Sequence, residues 1–137
     1  MAYYRLFYHI VWATKDRLPL ITAHNQALIH GAISTKVAGL GGIVHALNSM
    51  PDHVHLVATV PPKLALATVI GQIKGVSSYL ASRVGGSETP FAWQAEYGVV
   101  TIGERSLPTV IRYVRRQQQH HAANTLLPAL EQAGPTL

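Results

Sequence analysis

A mixed α+β fold built on one antiparallel sheet is what this 137-residue chain predicts, and three features carry the prediction. Short runs rich in β-branched and aromatic residues alternate with stretches of helical apolar spacing. Two of those runs are separated only by Pro51-Asp52, which makes them an antiparallel hairpin. A last helix-like stretch follows the final run, so the order reads β-α-β-β-α-β-α.

Each element has a local reason. Residues Tyr3 to Ala13 form the first strand-like run, closed by the charged turn Thr14-Lys15-Asp16-Arg17 and punctuated by Pro19. Thr22 can cap a helix over 23–38, where Leu28, Ile29, Ile33 and Val37 are spaced for one buried face. Gly39, Gly41 and Gly42 end it. Strands are expected over 43–49 and 53–60, and Pro61-Pro62 stops the second. A helix fits 64–82, with Leu66, Val69, Ile70, Ile73, Val76 and Leu80 available to pack. Gly85-Gly86-Ser87 reads as a loop and 96–102 as the fourth strand. Pro108 suits the first turn of a last helix that Ser106 caps and that runs to about His121. Beyond it, 126–133 reads as a short extra helix or a loosely held tail. The first six elements match a ferredoxin-like sandwich with helices on one sheet face, to which the last helix is added. Without repeats or linkers, residues 1–137 read as one domain, with about 122–137 as a tail.

Composition narrows the chemistry. Apolar residues make up 48% and charged residues 12%, which fits a folded chain. No apolar run approaches the roughly 20 residues that span a bilayer. The start Met1-Ala2-Tyr3-Tyr4-Arg5 lacks the pattern of a secretory signal, and the absence of cysteine removes disulfides and thiolate metal sites. The expected location is the cytoplasm, with no membrane partner. Net charge is +5 with the eight histidines neutral, and the isoelectric point is about 9.8, a balance that favours a polyanionic partner such as nucleic acid. There are only six carboxylates: Asp16, Asp52, Glu88, Glu96, Glu104 and Glu131. Most sit in apparent turns or the tail, so a nuclease whose two metals are clamped by carboxylates is not expected.

Histidine is the residue left to explain. In His53-Val54-His55 the alternation of a strand projects both imidazoles from one face, about 7 Å apart, with Val54 turned the opposite way. Two imidazoles so placed can converge on one divalent ion, with other ligands completing the shell. His9 lies mid-strand and can point toward the sheet face or away from it; His24, His30 and His45 have no partner at ligand spacing, and each of the four reads as a surface or partly buried residue rather than a ligand. The last helix supplies the remaining chemistry. Tyr113 and Gln117, four apart, share a helical face among Arg112, Arg115 and Arg116, which suit a phosphate backbone. A phenol with a pKa of about 10 is a poor nucleophile at neutral pH, so a metal and nearby cations must assist it. His120 and His121, seven and eight residues beyond Tyr113, compete with Gln117 for the third ligand position.

These pieces together resemble a known family. Met50-Pro51-Asp52-His53-Val54-His55-Leu56 is similar to the HUH signature (histidine, bulky apolar residue, histidine) of single-tyrosine transposases from bacterial and archaeal insertion sequences, the IS-two-hundred/IS-six-hundred-five-like family. Tyr8-His9-Ile10-Val11-Trp12-Ala13-Thr14-Lys15, Ile73-Lys74-Gly75, Trp93-Gln94-Ala95-Glu96-Tyr97 and Tyr113-Val114-Arg115-Arg116-Gln117 follow in the family's order, so the likeness spans about residues 3 to 121. The resemblance implies a transposase that cleaves and rejoins single-stranded DNA through a 5′-phosphotyrosine and recognises hairpins at element ends. It implies Tyr113 as nucleophile, with His53, His55 and Gln117 holding Mg²⁺ or Mn²⁺. It also implies a homodimer in which the histidine pair of one subunit can serve the tyrosine of the other. Lys74, Arg115 and Arg116 are the expected DNA contacts, with Lys15 and Arg17 next. The run Gln117-Gln118-Gln119 leaves open which amide reaches the metal. Three other readings use parts of the same pattern: a host-adopted hairpin nickase, a non-catalytic single-strand binder, and a metal-dependent hydrolase of small phosphates.

Overall fold

The computed structural model describes residues 2–84, 89–123 and 125–134; the loop expected at Gly85-Gly86-Ser87 and the end of the tail lie outside them. The chain runs β1 (Tyr8–Ala13), α1 (Gln26–Gly39), β2 (Ile43–Met50), β3 (His53–Thr59), α2 (Leu66–Val84), β4 (Gly98–Thr101), α3 (Leu107–Arg115), α4 (Gln117–Ala123) and α5 (Pro128–Glu131). The four strands form one antiparallel sheet in the order β2-β3-β1-β4, the ferredoxin-like arrangement. Among the described residues, no helix is long and apolar enough to cross a membrane.

The first helix begins later than Thr22 alone suggests, because Thr22 and Asn25 bond reciprocally. Thr22 N donates to Asn25 Oδ1 at 2.7 Å, and Asn25 N donates to Thr22 Oγ1 at 3.3 Å, so Asn25 becomes the N-cap. Leu28 is exposed, and the inward face of α1 is Ile29, Ala32, Ile33 and Val37. That face, with Val69, Ile70 and Ile73 of α2, covers Ile10, Trp12, Val54, Leu56 and Ala58 on one side of the sheet.

Helices cover the other side too, contrary to the one-face expectation. Phe7, Ala46 and Val57 pack there against Ile102, Tyr113 and Val114, with Leu107, Val110 and Leu130 at the margin. The predicted last helix is broken: α3 ends at Arg115, Arg116 leaves the helical region at φ −106° and ψ 27°, and α4 starts at Gln117. The break has a polar cause. Asn48 of β2 donates through Nδ2 to Val114 O at 3.0 Å and Arg115 O at 3.2 Å, satisfying carbonyls at the end of α3. Gln118 Nε2 donates to Asn48 Oδ1 at 3.2 Å and Ser49 O at 3.0 Å, fastening the start of α4 to β2. Pro108 lies in the first turn of α3 as expected, but Ser106 makes no side-chain cap bond.

The segment after α4 returns to the sheet. Its α5 touches β1 and β4, and the Gln132 carbonyl passes so near Gly98 that a Cβ there would lie 1.8 Å from the Gln132 oxygen. Only glycine permits this approach. Gly98→Ala is therefore expected to lift residues 125–134 off β4 while leaving the central strands intact. Hydrogen exchange checks this: amides of the tail should exchange faster, with β1 and β3 unchanged.

Candidate active site

The antiparallel register builds the site. Val11 pairs with His55 and Ala13 with His53, and the alternation that sends Ile10, Trp12, Val54 and Leu56 toward α1 and α2 sends His9, His53 and His55 toward α3. The two ligand candidates are 1% and 0% exposed, and their ring centroids lie 5.0 Å apart. Such burial of two imidazoles demands partners. His53 Nδ1 lies 2.7 Å from Asp52 Oδ1, and Arg17 Nε donates to Asp52 Oδ2 at 3.1 Å. Since a carboxylate only accepts, the hydrogen of His53 sits on Nδ1 and Nε2 is left facing the site. Among the described residues His53 Nε2 is buried without a hydrogen-bond partner: Glu131 Oε1 is 3.4 Å away but out of line for one. His55 Nδ1 lies 2.8 Å from His9 Nε2, and His55 Nε2 is 3.2 Å from the same Glu131 Oε1.

Glu131 is the centre of the arrangement. Its Oε2 accepts from the Tyr113 hydroxyl and from Gln117 Nε2 at 3.1 Å. His121 Nε2 stands 3.5 Å from Glu131 Oε1 and 3.0 Å from Gln117 Oε1, so α4 adds a third imidazole at the rim. Tyr113 packs 4% exposed, its hydroxyl accepts the Leu127 N–H at 3.0 Å, and its ring stacks on His120 with centroids 4.5 Å apart. Electrostatics follow from this crowding. Burial, reinforced by the Glu131 carboxylate, pushes the Tyr113 phenol up to about 12, against a smaller opposite effect of the Leu127 amide. Burial also works to raise Glu131, but the imidazoles of His53 and His55 outweigh it and hold the carboxyl well below its usual range. For His53, burial disfavours the cation, yet Glu131 and Asp52 prevail and raise it; for His55, burial prevails and lowers it. A buried nitrogen with no donor, opposite a carboxylate oxygen, is a place for positive charge.

A divalent metal fits that place. His53, His55 and Glu131 each offer a ligand atom within 4.8 Å of the others, and the donor set of two imidazoles and one carboxylate suits borderline and hard divalent ions. A single carboxylate joins the imidazoles, one that the sequence reading did not name: Glu131 enters the site because the tail folds back across β4. Of the glutamines, the buried Gln117 points into the cluster while Gln118 serves the α3–α4 junction. Of the two directions open to His9, the structure takes the one toward the site, where it is fully buried against His55, whereas His30 and His45 bond to Ser49 Oγ and Thr59 Oγ1, each at 2.8 Å. The expected DNA contacts fall into two groups. Lys15, Arg115 and Arg116 are exposed, and none is in an ion pair among the described residues. Arg17 is engaged with Asp52, and Lys74 Nζ donates to Gln94 O at 2.5 Å and Glu96 O at 3.3 Å.

A ferredoxin-like sheet whose His-x-His pair faces a helix-borne tyrosine across a metal-ligating cluster defines a single-tyrosine HUH enzyme. Residues 2–117 match the family model described as "Transposase IS200 like", and the chain belongs to that family. It is a DNA transposase that works by tyrosine-mediated cleavage and rejoining of single-stranded DNA. It is 25% identical over 122 residues to the ISDra2 transposase TnpA of Deinococcus radiodurans, an alignment covering 83% of this chain and 85% of that one. Its fold is similar to the crystal structure of a candidate transposase from Deinococcus radiodurans R1, with a TM-score of 0.67, 22% identity and 97% of each chain covered. It is also similar to a REP-associated tyrosine transposase bound to a REP hairpin, with a TM-score of 0.66, 16% identity, and 100% and 99% coverage.

If Glu131 is both ligand and partner of the phenol, one substitution should move two observables. Glu131→Ala is expected to weaken Mn²⁺ binding by more than about tenfold, since even outer-shell partners of a metal typically contribute roughly 10–100-fold. It should also bring the Tyr113 phenol down from about 12 toward the ordinary value of about 10. Calorimetry and NMR titration of ¹³Cζ-labelled tyrosine read these separately. An unchanged metal affinity would remove Glu131 from the ligand set.

Proposed function

We propose that this transposase cuts DNA hairpins at element ends, forming a 5′-phosphotyrosine at Tyr113 and freeing a 3′-hydroxyl, with Mg²⁺ or Mn²⁺ held by His53, His55 and Gln117 and joined by Glu131. The observation that carries this reading is the convergence of the Tyr113 hydroxyl and the two imidazole Nε2 atoms on one carboxylate. The bound ion would supply Lewis-acid polarisation of the scissile phosphate. Tyr113's oxygen forms the new bond to phosphorus as the bond from phosphorus to the 3′ oxygen breaks; Glu131 Oε2, too weak a base to keep the phenolic proton, orients the hydroxyl, that proton leaves to solvent, and the 3′ oxygen takes one up from solvent. The phosphotyrosine keeps the phosphoester bond, so a second 3′-hydroxyl can reverse the step without ATP.

Hairpin recognition is supported by the structural likeness to the hairpin-bound REP-associated enzyme. Exposed Lys15, Arg115 and Arg116 supply free cations for the strand; Arg17 acts mainly through Asp52, and Lys74 mainly as a brace between α2 and the 94–96 segment. The homodimer belongs to the same proposal. One chain brings its own Tyr113 ring within 6.3 Å of its own His55 ring, so an exchange of tyrosines between subunits would start from a site complete in each. A cytoplasmic location belongs to this proposal and is supported by the action on DNA.

The experiment is a denaturing gel of the protein with labelled single-stranded hairpins from the source element, with and without Mn²⁺. The expected product is a protein–DNA adduct that is lost with chelator and with Tyr113→Phe. Cleavage without an adduct, unaffected by Tyr113→Phe, would assign attack to water. For the basic residues, Arg115→Ala and Arg116→Ala should each reduce the slope of log affinity against log salt by about 0.7 for single strands. Lys74→Ala should leave that slope unchanged.

A further inference from the structure

His9 is a buried imidazole that the steps above leave without a task. It sits on central strand β1, 1% exposed, and pairs with Val57. Residues two apart on a strand share a face, so its diagonal neighbour on β3 is His55. The contact is direct: His9 Nε2 stands 2.8 Å from His55 Nδ1, with ring centroids 5.0 Å apart. His55 Nε2, the opposite nitrogen of that ring, faces Glu131 Oε1 at 3.2 Å.

The two candidate ligands are therefore supported by different chemistry. His53 rests on Asp52, a pure acceptor, which fixes a hydrogen on Nδ1 and turns Nε2 toward the cluster. His55 rests on a second imidazole, which can either donate or accept at the same nitrogen. We propose that His9 is the positioning residue of His55, aiming its Nε2 into the cluster and remaining hydrogen-bonded to its Nδ1 whether Nε2 meets the Glu131 carboxylate or a divalent metal ion. This rests on the reading of His53 and His55 as metal ligands.

The requirement for a two-way partner follows from proton placement. A carboxylate accepts only, so while Glu131 faces His55 Nε2 a neutral His55 carries its hydrogen there. Its Nδ1 is then a lone pair, and His9 Nε2–H must donate to it. With a metal on Nε2 the hydrogen of His55 lies on Nδ1, and His9 Nε2 must accept. Each ring holds one hydrogen in both states, so only the tautomers change and no net charge is buried. A carboxylate at position 9 would fit the second state alone, and a lysine the first alone. Glutamine is the conservative test, because rotating its amide presents either an oxygen or an N–H.

The full chain would be compared as wild type, His9→Gln and His9→Leu, with Mn²⁺ affinity read by calorimetry without DNA and folding by circular dichroism. Losing an outer-shell partner typically costs 10–100-fold in metal affinity, so His9→Leu should lose about that much and His9→Gln should recover most of it. In the metal-free wild type, long-range ¹H–¹⁵N NMR should show His55 with its hydrogen on Nε2, an observation that stands even if His9→Leu fails to fold. Equal losses in the two variants, no loss in His9→Leu, or a metal-free His55 carrying its hydrogen on Nδ1 would each overturn the proposal. A wild-type chain that binds no divalent ion would instead sink the metal reading itself.

Discussion

The pairing of β1 with β3 is the constraint on which the rest of the structure depends. Both strands are central, so both of their faces are buried, and every second side chain goes to a different core. On one side this gives an ordinary apolar layer under α1 and α2, where each fully buried Ile, Leu or Val contributes roughly 1.5–3 kcal/mol. On the other side the same alternation delivers His9, His53 and His55. A slip of β1 by one residue against β3 would turn His9 toward α1 and α2 and put Trp12 beside His53 and His55 in the reaction site. The apolar layer thereby fixes the position of the polar one.

The polar side is costly, and its geometry shows how the cost is met. Unpaired polar groups lose a few kcal/mol each on burial. Asp52 serves His53, His9 serves His55, Asn48 closes the end of α3, and Gln118 ties the next turn to β2. What stays open is His53 Nε2, at the point nearest a carboxylate. Glu131 links the two halves of the chemistry, since one oxygen faces the imidazoles and the other holds the phenol. Whatever occupies the space between the histidines must change the charge felt by the nucleophile. Metal site and tyrosine are thus coupled through a single side chain.

Much of this was legible in the sequence where the controlling interaction is local. Proline, glycine and period-two alternation mark the hairpin around Pro51-Asp52, and the same alternation puts His53 and His55 together. The four-residue spacing of Tyr113 and Gln117 survives the break at Arg116, because both still face the sheet. The break itself was not legible: helical periodicity runs unbroken through 110–121, and the cause, Asn48, lies on a distant strand. The direction of His9 was open in the sequence for a related reason, since a lone histidine in a strand shows its partner only once the register with β3 is known.

Glu131 marks the limit of such reading. Nothing near it in sequence identifies a ligand, and the match to the family model ends at residue 117. Its place depends on a chain reversal that needs Gly98 bare of a side chain and Leu130 packed at the edge of the second core. The histidines, Tyr113 and Gln117 are held by the sheet and by α3 and α4, whereas this carboxylate is held by a four-residue helix on a short return of the chain. What fastens Glu131 is the site itself: the Tyr113 hydroxyl, Gln117 Nε2 and His55 Nε2 all meet its two oxygens, so the groups it serves are also the groups that hold the return of the chain against the sheet.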